Sequence, residues 1–88
     1  MFINIGFGNI VNTDRVLSIV RPDAAPVKRL VSNAKAEGEV IDATQGRRTK
    51  AVIVLDNDKV LLSALQPETI VKRMHQELTD PEETEVLV

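Results

Sequence analysis

The sequence predicts an α+β domain, a small antiparallel sheet of about five strands with two helices in the order β-β-α-β-β-β-α. Three observations carry that expectation. Short apolar runs bounded by Gly, Asn and Asp recur along the chain, as strands and their turns require. Two segments open on a proline, Pro26 and Pro67, and continue with apolar residues at helical spacing. The chain is only 88 residues long, enough for one thin core.

Phe2-Ile3-Asn4-Ile5 alternates as a half-buried strand does, and Gly6-Phe7-Gly8-Asn9 supplies the backbone freedom of a turn. Ile10-Val11 and Val16 to Val20 extend this into an expected β-meander, with Asn12-Thr13-Asp14 as a turn or bulge. Between Pro22 and Pro26 the chain breaks, because the residue before a proline is pushed out of the helical region. From Pro26 onward Val27, Leu30, Val31 and Ala34 form one apolar stripe, and Gly38 is the stop. Val40 to Thr44 reads as a short strand leading into the polar loop Gln45-Gly46-Arg47-Arg48-Thr49-Lys50. Ala51 to Leu55 is a continuous apolar run suited to burial on both faces, and Asp56-Asn57-Asp58 turns it into Val60 to Leu65 as a central hairpin. After Pro67, Glu68 stands where the helix dipole favours an acid, and Ile70, Val71, Met74 and Leu78 form the apolar face, with Lys72 and Arg73 pointing elsewhere and Pro81 ending the helix. Residues 1–79 are thus expected to form a single domain and residues 80–88 an acidic tail without fixed structure.

Only two aromatic residues, Phe2 and Phe7, are available, so buried area must come from smaller aliphatic side chains, and self-association is the expected remedy. The absence of cysteine excludes disulfides and thiolate chemistry and favours a cytoplasmic location. No basic region followed by a long apolar run stands at the N-terminus, and no stretch is long enough to span a bilayer, so neither a leader nor a membrane partner is expected. The net charge of -2 conceals an asymmetry: Asp80, Glu82, Glu83 and Glu85 lie in the last ten residues without a base, leaving the body mildly basic.

Candidates for chemistry are few. Gly6-Phe7-Gly8 begins a dinucleotide fingerprint, but its third glycine is replaced by Val11, and a tight turn between strands explains the pair. Gly46-Arg47-Arg48-Thr49-Lys50 lacks the glycine before lysine that a Walker loop needs. Asp56 and Asp58 flank Asn57 in a hairpin turn, which accounts for them without a metal. His75, alone on a helix, reads as a surface residue, and Ser18, Ser32 and Ser63 have no base beside them. No catalytic group, cofactor, metal or small-molecule substrate is therefore expected. What survives is Arg47-Arg48-Thr49-Lys50, three cations within four residues on a loop. Arginine's planar fork grips phosphate bidentately; a solvated turn with no partner is the competing reading. Arg15 and the pair Lys28-Arg29 could enlarge the basic surface.

At several separate segments the chain resembles the RemA-type regulators of bacterial extracellular matrix genes. They are Phe2 to Val11, Ala25-Pro26-Val27-Lys28-Arg29, Ile41 to Thr49, and Leu62 to Thr69, in order and at matching spacing; only the acidic tail departs. The resemblance implies a DNA-binding regulator of biofilm matrix genes, a LytTR-like fold, and assembly into a ring resembling an octamer. It also implies DNA contacts at Arg15, Arg47 and Arg48. From the residues themselves, Lys50, Lys28 and Arg29 are candidates for further phosphate contacts, and a nucleoid-associated place in the cytoplasm is expected.

The residues supply a mechanism consistent with that. A few cations on one copy bind phosphate weakly at cellular salt, whereas a ring repeats the patch and engages one duplex at high effective concentration. Arginines without aromatic partners disfavour stacking on single strands, which leaves duplex backbone and groove shape as the expected target. Two other readings stay open: an assembly protein that recruits a protein partner, with the arginines at subunit interfaces, and an RNA binder.

Overall fold

The computed structural model describes residues 1–78. The expected helix end at Pro81 and the acidic tail, residues 80–88, lie outside the described residues. Elements run β1 (Phe2–Asn4), β2 (Ile10–Asn12), a 3-10 turn (Thr13–Arg15), β3 (Val16–Val20), α1 (Ala25–Ala36), β4 (Val40–Asp42), β5 (Ala51–Leu55), β6 (Val60–Ser63) and α2 (Pro67–Leu78). The α+β class and the two helices are as expected. The single antiparallel sheet is not: among the described residues six strands form a two-stranded sheet, β1-β2, and a four-stranded sheet in the order β3-β5-β6-β4.

The long-range pairing explains the difference. The hairpin of β5 and β6 is present, antiparallel from Ala51↔Ser63 to Val54↔Val60, and its turn holds Asp58 at a φ of 66°. β6 then runs in the direction of β4, so these two pair in parallel, Val40↔Val60 to Asp42↔Leu62, and the sheet is mixed. β3 pairs with β5 rather than β2. The expected meander is broken by the 3-10 turn, which the Asn12 side chain caps by accepting from the Asp14 N–H, 3.0 Å.

β5 takes an interior position because Ala51, Val52 and Ile53 present nothing that wants water; all three are 0 % exposed. Alternation along β5 and β6 sends their side chains to two cores. On one face Val52, Val60 and Leu62 meet Ala34, Val27 and Val31 of α1. On the other, Ile53, Leu61 and Ala51 meet Ile3, Ile5 and Val11 of the hairpin and Ile70 and Met74 of α2. Full burial of a side chain such as Ile53 contributes about 1.5–3 kcal/mol. Both helical stripes are narrower than their spacing suggests, since Leu30 and Val71 lie on the exposed flanks. α1 begins with Pro26 in its first turn and ends where Gly38 adopts a φ of 71°, as the spacing predicts. No helix among the described residues is long and apolar enough to cross a membrane.

One buried polar group ties the two sheets together. Ser63, fully buried at the end of β6, donates from Oγ to the Ile5 carbonyl at 2.7 Å and accepts from the Leu65 N–H at 3.1 Å, while its own carbonyl accepts from the Lys50 N–H at 2.9 Å. Ser63→Ala leaves the Ile5 carbonyl and the Leu65 N–H without that hydroxyl in a closed site. It is expected to cost about 1–3 kcal/mol in urea unfolding at fixed protein concentration, against about 0.5 kcal/mol or less for Ser18→Ala on an exposed strand position.

Candidate functional site

The arginine loop owes its shape to two local devices at its root. Asp42 Oδ1 accepts from the Thr44 N–H at 2.9 Å and from Thr44 Oγ1 at 2.6 Å, an Asx-type turn that ends β4. Gln45 and Gly46 follow with φ of 51° and 80°, and the Arg47 N–H donates back to the Thr44 carbonyl at 3.0 Å. Positive φ at both central positions is the pattern of a type I′ turn, which glycine enters without strain and which aims Arg47 outward immediately after it. The other end of the loop is fixed by Lys50 on Ser63.

A second tight turn faces the loop. Gly6-Phe7-Gly8 joins β1 to β2, with the Asn9 N–H and Asn9 side-chain amide both donating to the Gly6 carbonyl, at 3.0 and 2.9 Å. The turn reading of these glycines is correct, but it omits what the turn presents. Phe7 has a φ of 54°, a left-handed conformation that costs a residue with a Cβ about 1–2 kcal/mol. Its ring is half exposed and lies under the Arg47 guanidinium, 5.9 Å from charge centre to ring centroid. The expectation that the arginines have no aromatic partner is thereby corrected: the partner is forty residues away in sequence and cannot be read from the loop alone. A contact at this distance is worth about 0.5–1 kcal/mol where exposed.

Helix α2 supplies the third wall. Arg73 Nη1 donates to the Asn4 carbonyl at 2.8 Å, holding the guanidinium over the end of β1. Turn, loop and helix enclose an open depression of about 560 Å³ into which Arg47, Arg48, Lys50 and Arg73 converge above Phe7 and Leu65. None of these four cations is paired with a carboxylate among the described residues. The contrast with other arginines is direct, since Arg15 pairs with Asp56 at 3.4 Å and Arg21 with Glu68.

The residues singled out in the sequence are therefore only partly gathered. Arg47, Arg48 and Lys50 meet. Arg15 lies at the opposite end of β5, where its carbonyl accepts from the Asp56 N–H; the intervening five-residue strand spans roughly 17 Å at the usual rise. Lys28 borders a separate groove of about 270 Å³ with Thr49 and Lys35, and Arg29 stands exposed on α1 outside it. Arg73, expected to point away from the apolar face of α2, joins Arg47, Arg48 and Lys50 at the depression. It follows Ile70 by three residues and flanks the buried stripe instead of opposing it, a position the helical period does contain.

Fold and site together define a small α+β protein with four cations around one depression, none paired with a carboxylate among the described residues. The chain belongs to the RemA-like family, described as extracellular matrix regulatory protein A-like, whose sequence model matches residues 2–74. A relative from Carboxydothermus hydrogenoformans, named "Putative regulatory protein", is 60% identical over 74 residues, 84% of this chain and 85% of the relative. Relatives of the same name include one from Pseudothermotoga lettingae, 53% identical over 81 residues, 92% of this chain and 89% of the relative. One from a Geobacillus species is 53% identical over 74 residues, 84% of this chain and 85% of the relative. The family and its relatives are thus named for regulation and not for a reaction.

The loop's root makes an acid-sensitive contribution. The Thr44 hydroxyl, then the Thr44 N–H, hold Asp42 below its ordinary value against a partial opposing effect of burial, with Lys35 assisting. Because the folded value is lowered, the stabilisation is fully present above the unfolded carboxylate range and is lost as pH falls through the lowered value. Asp42→Asn is expected to narrow its stability difference from wild type as pH is lowered through that window, measured by urea midpoints across an acid series.

Proposed function

We propose that this protein is a homo-oligomeric regulator that binds double-stranded DNA through repeated copies of the arginine loop and controls matrix genes of the kind its family is named for. The observation that carries the reading is that Arg47, Arg48, Lys50 and Arg73 line one depression and none is paired with a carboxylate among the described residues, Asp23 bordering the adjoining groove that Arg48 and Lys50 also line. Such a face is unfavourable unless an anion approaches it, and a polyphosphate backbone is the anion whose spacing rewards repetition. One half-exposed ring per copy does not make a stacking platform for single strands, so duplex remains the favoured target.

Self-association is supported by what the fold leaves uncovered. The register of β1 with β2 sends Phe2 and Ile10 outward, 63% and 59% exposed, and the two edge strands β3 and β4 carry Leu17 and Ile41 at 68% and 48%. Exposed apolar residues on sheet edges are an invitation to pairing that monomers avoid. The assembly in this reading is a ring, as the family resemblance implies, and the fold is of the LytTR type. Arg15 joins the DNA face by way of a neighbouring copy, since within one chain it lies at the far end of β5. Lys28 and Arg29 then contribute charge at the margin of that face.

The double variant Arg47→Ala/Arg48→Ala is expected to keep the native mass of wild type in light scattering and to lose the mass shift on a long duplex, at least a hundredfold in affinity. A variant that falls to monomers makes the arginines interface residues and favours an assembly protein instead; a preference for duplex RNA in competition makes RNA the partner. For wild type, affinity is expected to fall steeply and linearly in log–log form as salt rises, and a flat profile contradicts a phosphate contact.

A further inference from the structure

Two observations at the depression are not used by an arginine loop acting alone. Arg73 belongs to α2, and one of its guanidinium N–H groups is already spent on the Asn4 carbonyl, 2.8 Å, which fixes the fork and leaves further donors. Phe7 is held in left-handed backbone between two glycines and is 48% exposed, so its conformation serves no core contact that a glycine turn would lack. Both side chains border the same depression as Arg48, Lys50 and Leu65.

We propose that this depression is a seat for one sugar–phosphate unit of the DNA backbone, with Arg73 a phosphate contact beside Arg48 and Lys50, and Phe7 with Leu65 the apolar wall for the sugar. The proposal rests on the duplex reading above and deepens it. Chemistry argues for such a ligand over a bare anion, because cations converge over a floor of ring and aliphatic carbon, and a volume of about 560 Å³ is far more than a lone phosphate fills. It also gives the loop a register: a phosphate held from two sides by a loop and a helix is fixed in position, whereas a loop alone tracks any phosphate along the strand.

The test compares full-length wild type, Arg73→Gln, Arg73→Lys, Phe7→Gly and Arg47→Ala/Arg48→Ala for equilibrium binding to a labelled duplex across a salt series, with melting temperature and native mass measured on each. Arg73→Gln is expected to weaken binding about tenfold and to reduce the log–log salt slope by about 0.9 per subunit engaged. Arg73→Lys keeps the slope and recovers most of the affinity. Phe7→Gly, which removes the strained backbone along with the ring, weakens binding several-fold at every salt concentration with the slope unchanged. All variants keep the native mass, and the glycine variant melts within a few degrees of wild type.

An unchanged slope in Arg73→Gln, while the double arginine variant is inert, removes Arg73 and the seat but leaves the duplex reading standing. Wild-type binding by the double variant overturns that reading as well. Phe7→Gly with wild-type affinity removes the sugar wall. If Phe7→Gly or Arg73→Lys falls to monomers or melts far below wild type, the residue is structural and the proposal fails. Thymidine monophosphate and inorganic phosphate serve as competitors. Failure of both to displace duplex at matched nucleotide concentration is expected of a seat that depends on repetition, and displacement by the monophosphate alone makes a free nucleotide the ligand and overturns the DNA assignment.

Discussion

The Ser63 hydroxyl is the contact on which the arrangement of the cationic face depends. It is a small polar group at the end of an otherwise apolar strand, fully buried, and it satisfies the Ile5 carbonyl and the Leu65 N–H at once. The first of these leads into the turn that carries Phe7, and the second into the helix that carries Arg73. Through its own carbonyl the same residue fixes Lys50 at the end of the arginine loop. An apolar side chain at position 63 would keep the backbone contact to Lys50 but leave the Ile5 carbonyl and the Leu65 N–H without their shared partner. Buried polar groups are costly unless satisfied, and once satisfied they specify one arrangement over its near neighbours.

Electrostatics then distinguishes the face from the rest of the surface. Arg15 and Arg21 have carboxylate partners, and an exposed pair of that kind contributes little to stability. The four cations that line the depression have no such partner among the described residues, and the ring beneath Arg47 supports its charge without cancelling it. In the proposed reading such a site is weak one copy at a time, and repetition around an oligomer would convert a modest contact into strong attachment to a long polyanion, with the spacing between copies part of what is recognised.

Much of this was legible in the sequence, and the remainder was hidden for identifiable reasons. Pro26, Gly38, Pro67 and the Asp56-Asn57-Asp58 turn are local signals, and each marks the boundary it was expected to mark. The loop was legible because its charges are consecutive. The parallel pairing of β4 with β6 and the pairing of β3 with β5 join distant segments, and nothing in the local pattern of Val40 to Asp42 or Val16 to Val20 states which neighbour each will take. Phe7 and Arg73 were missed for the same reason: their relevance comes from proximity to residues forty and twenty-five positions away. Arg15 lies at the other end of β5 from the loop, a separation that charge type alone does not state.

Amide hydrogen exchange on the full-length chain, free and bound to duplex DNA, tests most directly whether three distant segments act as one DNA-binding face. Protection is expected together in residues 6–8, 46–50 and 65–73, the segments that line the depression. Exchange in those segments that is the same with and without saturating duplex would contradict it.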